Sequence, residues 1–307
     1  MSTNNYIKSC LNYTGGKYKL LNQILPLFPQ EIEKFIDLFC GGANVAINVS
    51  AKEIICIDIQ KEIIRLFNNI KQLDKEEVFL QIEKIISQYK LSDSFRRGYE
   101  VYNCESGKGL AEYNKEKYLL LREKYNSCSI EDYNESFMFY VLTVFGFNNQ
   151  IRFNKKGGFN IPVGKRDFNE NIRGNLDQFI DRIKEKDIVF KHKDFRDLDL
   201  GGLSNNDFIY ADPPYLITTA AYNEQGGWTE KDELDLLSLL DRVNDRNIKF
   251  ALSNVLENKG KENVILKEWA KKYAVNYLNY NYNNSNYQSK SRESKTVEVL
   301  ITNYNLE

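Results

Sequence analysis

The sequence predicts an α/β protein whose strands deliver carboxylates to one edge of an open sheet. Three observations carry this. Short apolar runs, Phe35-Ile36-Asp37, Ile54-Ile55-Cys56-Ile57-Asp58 and Phe208-Ile209-Tyr210-Ala211-Asp212, each end in an acid. A helical pattern, Leu234, Leu237, Leu239 and Leu240, leads into a further apolar run, Phe250-Ala251-Leu252-Ser253-Asn254. The length of 307 residues suffices for one large α/β domain and a smaller inserted one.

The stretch Asp212-Pro213-Pro214-Tyr215 organises the rest. Open α/β sheets bind ligands at the carboxyl ends of their strands, where this carboxylate falls. Two prolines fix φ and donate no backbone N–H, so the chain leaves the sheet as a stiff loop. An acceptor, a rigid backbone with free carbonyls and an aromatic face together suit a planar amine. The plainer alternative is a strand ending in a proline turn with a capping Asp.

Earlier, Tyr13-Thr14-Gly15-Gly16-Lys17 precedes a helical pattern, Leu20, Leu21, Ile24 and Leu25, that stops at Pro26. Two glycines before a helix allow a tight turn whose N–H groups and dipole face an anion, with Lys17 adding a cation. The residues of a phosphate loop are absent, so a carboxylate is the expected anion. After Asp37 and Phe39 come Gly41-Gly42 and then Val45-Ala46-Ile47, read as a glycine turn and a helix. The second strand ends at Asp58, where an acid can take ribose hydroxyls. The loop lacks the G-x-G-x-x-G spacing, and Asp37 repels phosphate while attracting a sulfonium or amino group. The pattern fits a nucleoside cofactor without phosphates. Asp187-Ile188-Val189-Phe190 is a further short strand, after which Asp194 and Phe195 can bracket a cofactor adenine.

Residues 61–136 are polar and helical, with apolar stripes such as Val78, Ile82, Ile85 and Ile86. Then Arg152, Phe153 and Asn154 lead into Lys155-Lys156-Gly157-Gly158, followed by Phe159, Asn160, Ile161, Pro162, Val163, Gly164, Lys165 and Arg166. Alternation around a Gly-Gly turn reads as a β-hairpin. Arg reads guanine and Asn adenine in the major groove, and lysines neutralise phosphates. A basic surface ribbon is the alternative. Downstream, Thr218 to Tyr222 and Gly226-Gly227-Trp228 read as a loop with glycine hinges. Tyr280–Arg292 reads as a polar loop near nucleic acid, and Thr296–Thr302 as a closing strand.

Composition sets limits. The formal net charge is −1, so any nucleic-acid surface is local. Five scattered cysteines without metal-ligand spacing read as reduced thiols in a cytoplasmic protein, with no metal site and no membrane span expected. One histidine, His192, argues against a Ser-His pair or a histidine metal cluster.

In this order, Tyr13 to Lys17, Asp37 to Gly42, Asp58, the Arg152–Arg166 hairpin, Asp194-Phe195, Asp212 to Tyr215 and Ser253-Asn254 resemble the Dam-type DNA adenine N6-methyltransferases. That family includes phage Dam proteins and type II restriction-modification methylases. The resemblance implies a Rossmann-like class I S-adenosylmethionine-dependent methyltransferase fold with a mainly helical target-recognition insertion carrying a β-hairpin. The catalytic domain is expected over 1–60 and 168–307, and the target-recognition domain over 61–167. Asp212, Pro213, Pro214 and Tyr215 then fall at catalytic positions. Tyr13, Gly15, Gly16, Lys17, Asp37, Phe39, Gly41, Gly42, Asp58, Asp194, Phe195 and Asp212 fall at positions contacting S-adenosylmethionine. Arg152, Asn154, Lys155, Lys156, Asn160, Pro162, Lys165 and Arg166 fall at positions contacting double-stranded DNA. The implied reaction methylates a flipped adenine in a short duplex site, with GATC expected, in restriction-modification or phage protection. A cognate restriction endonuclease acting separately, and a monomer or weak dimer, are compatible with it. Rival readings are adenine methylation in RNA and an inactive DNA- or cofactor-binding module; a nicotinamide oxidoreductase is disfavoured by the glycine pattern.

Overall fold

The computed structural model describes residues 6–104, 108–127, 133–218, 227–279 and 296–305. The stretches read as a hinged loop over 219–226 and as a polar loop over 280–292, and Cys128, lie outside the described residues. Strands are β1 (Lys34–Asp37), β2 (Glu53–Asp58), β3 (Ile188–His192), β4 (Phe208–Ala211), β5 (Lys249–Asn258), β6 (Lys261–Glu262), β7 (Ala274–Leu278) and β8 (Thr296–Thr302). Helices are α1 (Leu21–Ile24), α2 (Lys61–Gln72), α3 (Lys75–Gln88), α4 (Ser94–Arg97), α5 (Ala111–Ser127), α6 (Tyr133–Phe145), α7 (Glu170–Glu185), α8 (Glu230–Asp245) and α9 (Val264–Ala270).

The chain divides into two compact units. The sheet unit holds residues 17–59 and 187–307. Its strand order is β3-β2-β1-β4-β5-β8-β7, with β6 paired to β5. Strands β3 to β5 run parallel, and β8 is antiparallel to both β5 and β7. Side chains alternate between the two faces of such a sheet. One face carries Phe35, Phe208 and Tyr210, which pack with Phe28, and Tyr304 meets Phe208. The other carries Ile36, Ile209, Ala211, Phe250 and Leu252 against Leu236, Leu240 and Val243 of α8 and Leu266 and Trp269 of α9. Helix α8 starts with a capping box, Thr229 and Asp232 each accepting from the other's backbone N–H.

The helical unit holds residues 7–16 and 60–186. Helix α6 is apolar nearly all round, as a central buried helix must be, with Phe137, Phe139, Tyr140, Leu142 and Phe145 almost fully covered. The stripe Val78, Ile82, Ile85 and Ile86 is buried on α3. Sequence reading places a boundary at 167, whereas this unit runs on through α7. Phe179 of α7 packs its ring 5.0 Å from Phe67 of α2, and Lys75 of α3 binds Asp177 at 2.8 Å and Asp181 at 2.7 Å.

Three local expectations change. No α-helix follows Gly41-Gly42: Ala43 takes a left-handed φ of 58°, and residues 43–49 make hydrogen-bonded turns instead. Lys17–Leu20 is a 3-10 helix before the four-residue α1, so no long helix dipole stands behind the glycine turn. Ser253 and Asn254 lie mid-strand, because β5 continues to Asn258 by pairing with β8.

Candidate active site

The strand order reverses between β1 and β4, and their carboxyl ends meet there. Asp37, the last residue of β1, registers with Tyr210 of β4 and Cys56 of β2. Asp212 follows β4 directly and Asp58 ends β2, so three acids gather at one edge of the sheet. This is the crevice at which such sheets bind ligands.

Lys17 is the cation of this edge. Its Nζ lies 2.8 Å from Asp212 Oδ1 and 3.6 Å from Glu298 Oε1 of β8, with the ammonium and Glu298 almost fully buried. It also stands 5.0 Å from the Tyr215 ring centre. The Tyr215 hydroxyl donates to Asp212 Oδ1 at 2.8 Å. Lys17 and Tyr215 thus converge on one oxygen, and Asp212 Oδ2 accepts from no donor among the described residues. Burial pushes the Asp212 carboxyl up, while the Lys17 ammonium and Tyr215 hydroxyl pull it back. Burial alone would lower the Lys17 ammonium, but Asp212 and Glu298 outweigh it and hold it protonated. Burial, then the Asp212 charge, push Asp37 well above the usual carboxylate range, and Asp58 adds to this. One ammonium therefore faces several acids, an arrangement that favours an added cation. Lys17, expected to meet an external anion, instead finds its carboxylates within the chain.

The loop after β1 is tied to β2. Gly41 N–H donates to Asp58 Oδ2 at 2.8 Å, and Cys40 N–H donates to the Ile57 carbonyl at 2.9 Å. Phe39 N–H points back to Asp37 Oδ1 at 3.4 Å, a long contact. Phe39 meets Phe195, with ring centres 5.3 Å apart, and Trp228 edge-on at 5.6 Å. Asp194 accepts from the Arg196 backbone at 2.9 Å and pairs with its guanidinium at 3.2 Å, while Arg196 also reaches Asp232 and Asp235. His192 Nε2 contacts the Ile59 carbonyl at 3.0 Å, and among the described residues no group of His, Cys, Asp and Glu is arranged to hold a metal ion.

The remaining candidates lie in the helical unit. Tyr13 to Gly16 form a type II turn, Gly16 N–H donating to the Tyr13 carbonyl at 3.1 Å; Gly15, at φ 81°, takes the position such turns reserve for glycine. The Tyr13 hydroxyl lies 3.5 Å from Gln60 Oε1. The basic segment does fold back as a narrow hairpin, bridged at Phe153 and Phe159 rather than by long strands. Asn154 Oδ1 accepts from Lys156 N–H at 2.9 Å and Gly158 N–H at 3.0 Å, so it shapes the turn. Arg152 Nε donates to Asn160 Oδ1 at 2.8 Å and Nη2 to the Asn160 carbonyl at 3.1 Å. Asn126 of α5 clasps Phe159 through both its N–H and its carbonyl. Lys155, Lys156, Pro162, Lys165 and Arg166 are exposed. Gly164 passes so close to the Gly146 carbonyl that any side chain would clash.

Sequence reading missed Glu298, which had a signal, a lone acid inside the apolar run Val297 to Ile301.

A family model for D12 class N6 adenine-specific DNA methyltransferases matches residues 13–286. The chain is 41% identical over 308 residues to the type II methyltransferase M.FokI of Planomicrobium okeanokoites, covering 98% of this chain and 44% of that protein. It is 43% identical over 311 residues to the modification methylase StsI of Streptococcus sanguinis, covering 99% of this chain and 44% of that protein. With the DNA adenine methylase of Escherichia coli strain K12 it shares 23% identity over 269 residues, 86% of this chain and 84% of the relative. The chain thus spans under half the length of the first two relatives. Along the main path of the sheet, the reversed β8 among otherwise parallel strands agrees with a class I methyltransferase sheet, and among the described residues only the two-residue β6 also runs antiparallel, beside β5. Sequence match and sheet together place the chain in the D12 class N6 adenine-specific DNA methyltransferase family.

Proposed function

We propose that this chain is a site-specific adenine-N6 methyltransferase of double-stranded DNA, of restriction-modification type, with S-adenosylmethionine as methyl donor. The observation that carries this is the Asp212 carboxylate. Lys17 and Tyr215 fix one of its oxygens, each at 2.8 Å, and the other is left to accept. An exocyclic amine donating to Oδ2 and to the Pro213 carbonyl is held with its nitrogen lone pair turned away from the ring plane.

The residues fit the donor. When bound, S-adenosylmethionine supplies a cationic sulfonium and an electrophilic methyl group. Asp58 and Asp212, joined by Asp37 when a cation draws off its proton, provide the negative field that a sulfonium needs, and the same field repels phosphates. Asp58, held by Gly41 N–H at the end of β2, is the acid proposed to take the ribose hydroxyls. Phe39 and Phe195 supply apolar faces for the donor's adenine.

The chain's part in the reaction follows. Adenine's amino nitrogen is a poor nucleophile because its lone pair is delocalised. Hydrogen bonding to Asp212 and the Pro213 carbonyl favours the pyramidal form, and positioning against the methyl carbon supplies much of the rate. With the donor bound, its sulfonium would supply the methyl group, while Asp212 and the Pro213 carbonyl would hold the amine in place, and Asp212 Oδ2 would be the first acceptor for the nitrogen's surplus proton on its way to water. No strong base is required, in keeping with one histidine in the chain. The target must leave the duplex, at a cost of a few kcal/mol, and stacking on Tyr215 returns about 1–3 kcal/mol. Arg152, Asn154, Lys155, Lys156, Asn160, Pro162, Lys165 and Arg166 are the proposed DNA contacts, and Tyr13, Gly15 and Gly16 are proposed donor contacts. GATC is the first duplex to test.

The test is transfer of a labelled methyl group to duplex DNA and to RNA of the same sequence. Label in N6-methyladenine of the duplex is the expected product. Transfer to RNA alone, or none to either, would overturn the proposal.

A further inference from the structure

Trp228 and Glu233 form a device that the reaction just described does not use. The Trp228 indole N–H donates to Glu233 Oε2 at 2.6 Å. Glu233 is fully covered, and its other oxygen accepts from Asn263 Nδ2 at 2.8 Å and Asn254 Nδ2 at 3.3 Å. Both asparagines are themselves buried, one on β5 and one capping α9. All three partners are neutral, so this carboxylate pays burial without a compensating cation, and burial pushes its pKa up. Core packing has no need of such a group. What it achieves is to lock one indole to the sheet and to two helices.

That indole is half-buried, and its other side meets two rings. Trp228 lies edge-on to Phe39, 5.6 Å between centres at 79°, and tilted to Phe195, 5.7 Å at 43°. Phe39 and Phe195 are 5.3 Å apart, so the three rings close a triangle. Phe39 follows β1 and Phe195 follows β3, on separate loops with no other shared brace among the ring contacts of the described residues.

We propose that Trp228, clamped by Glu233, is a positioning residue that sets the angle of Phe39 and Phe195 and thereby the fit of the donor's adenine. This rests on the reading that those two rings supply an apolar face for that base. Donor affinity then depends on an indole that lies after the catalytic loop rather than in the glycine loop.

The chain has two tryptophans, so Trp269→Phe leaves Trp228 as the sole indole reporter. Titration of that variant with S-adenosylmethionine is expected to shift its emission saturably, with the Kd that calorimetry gives for the wild-type chain. Trp228→Ala is expected to raise the calorimetric Kd about tenfold, from two lost aromatic pairs. Trp228→Phe, which keeps a ring and loses the N–H, guards against misfolding and is expected to fall between. Thermal melts of each variant verify folding. Silent Trp228 emission while the wild-type chain binds donor, or a Kd for folded Trp228→Ala within twofold of wild type, overturns the proposal. No donor binding by the wild-type chain would overturn the functional reading itself, and this inference with it.

Discussion

The acid-rich sheet edge and the basic hairpin solve opposite electrostatic problems. At the sheet edge, Lys17, Asp212, Tyr215 and Glu298 are drawn out of water and satisfied by one another. In the hairpin, Asn154 and the Arg152–Asn160 pair spend their hydrogen bonds on holding the backbone, while Lys155, Lys156, Lys165 and Arg166 stay in solvent. A buried charge is strong because little screens it, and removing its partner is costly. An exposed charge is individually weak and acts through numbers and ionic strength. The comparison teaches that substitutions at the first site should fail one at a time, and at the second only in groups.

The largest break expected is Asp212→Ala. Methyl transfer to duplex DNA should fall by about 10²–10³-fold, the scale of a preorganised electrostatic group, while far-ultraviolet circular dichroism stays that of the wild type. Turnover within tenfold would equate the two regions.

Next comes Lys17→Met, which leaves Asp212 and Glu298 buried without their cation. Loss of about 3 kcal/mol at neutral pH is expected in urea denaturation. The deficit should shrink as acid protonates Asp212, whose carboxyl burial pushes up. A pH-independent loss would point to packing instead.

In the hairpin, Lys155→Ala with Lys156→Ala should weaken duplex binding about tenfold at moderate salt and lower the slope of log affinity against log salt by about 2. Stability should not change. An unaltered salt slope would remove the hairpin tip from the DNA interface.

Asp37→Asn sharpens the contrast most finely. The folded-state pKa of Asp37 is raised above its unfolded value, by burial first and then by Asp212. Its stabilising contribution is therefore complete below the ordinary carboxylate value and is lost as pH rises through the raised one. The asparagine variant should escape that loss. It should exceed wild type in stability at neutral pH and converge with it in acid. Donor affinity should move the other way, because an asparagine cannot ionise beside a cationic donor. A variant less stable than wild type at pH 7 would contradict the sign.

Much of this was legible in the chain itself. Phe208–Ala211 and Thr296–Thr302 are strands with the limits that their apolar runs and flanking turn formers announce. The carboxylates at the ends of β1, β2 and β4 could be placed because strand ends are local features. What escaped was set by distant partners. Ser253 and Asn254 look like a polar tip, yet they sit inside β5, where Tyr210 and Glu233 take up their side chains. The helix expected after Gly42 is undone by the backbone of Ala43, which composition does not reveal. The polar helix α7 reads as part of the sheet unit until Phe179 and Lys75 show what it packs on. Glu298 acquires meaning only when β8 is paired beside β5 and Lys17 is folded against it.

The central claim is that one Asp212 oxygen holds the amine of an adenine taken from duplex DNA. Its most direct test is single-molecule sequencing of DNA from a host expressing the wild-type chain or Asp212→Ala at equal levels. The account predicts N6-methyladenine at nearly every copy of one short motif with the wild type, and none above background with the variant. Equal methylation by both chains, or none with the wild type, would contradict it.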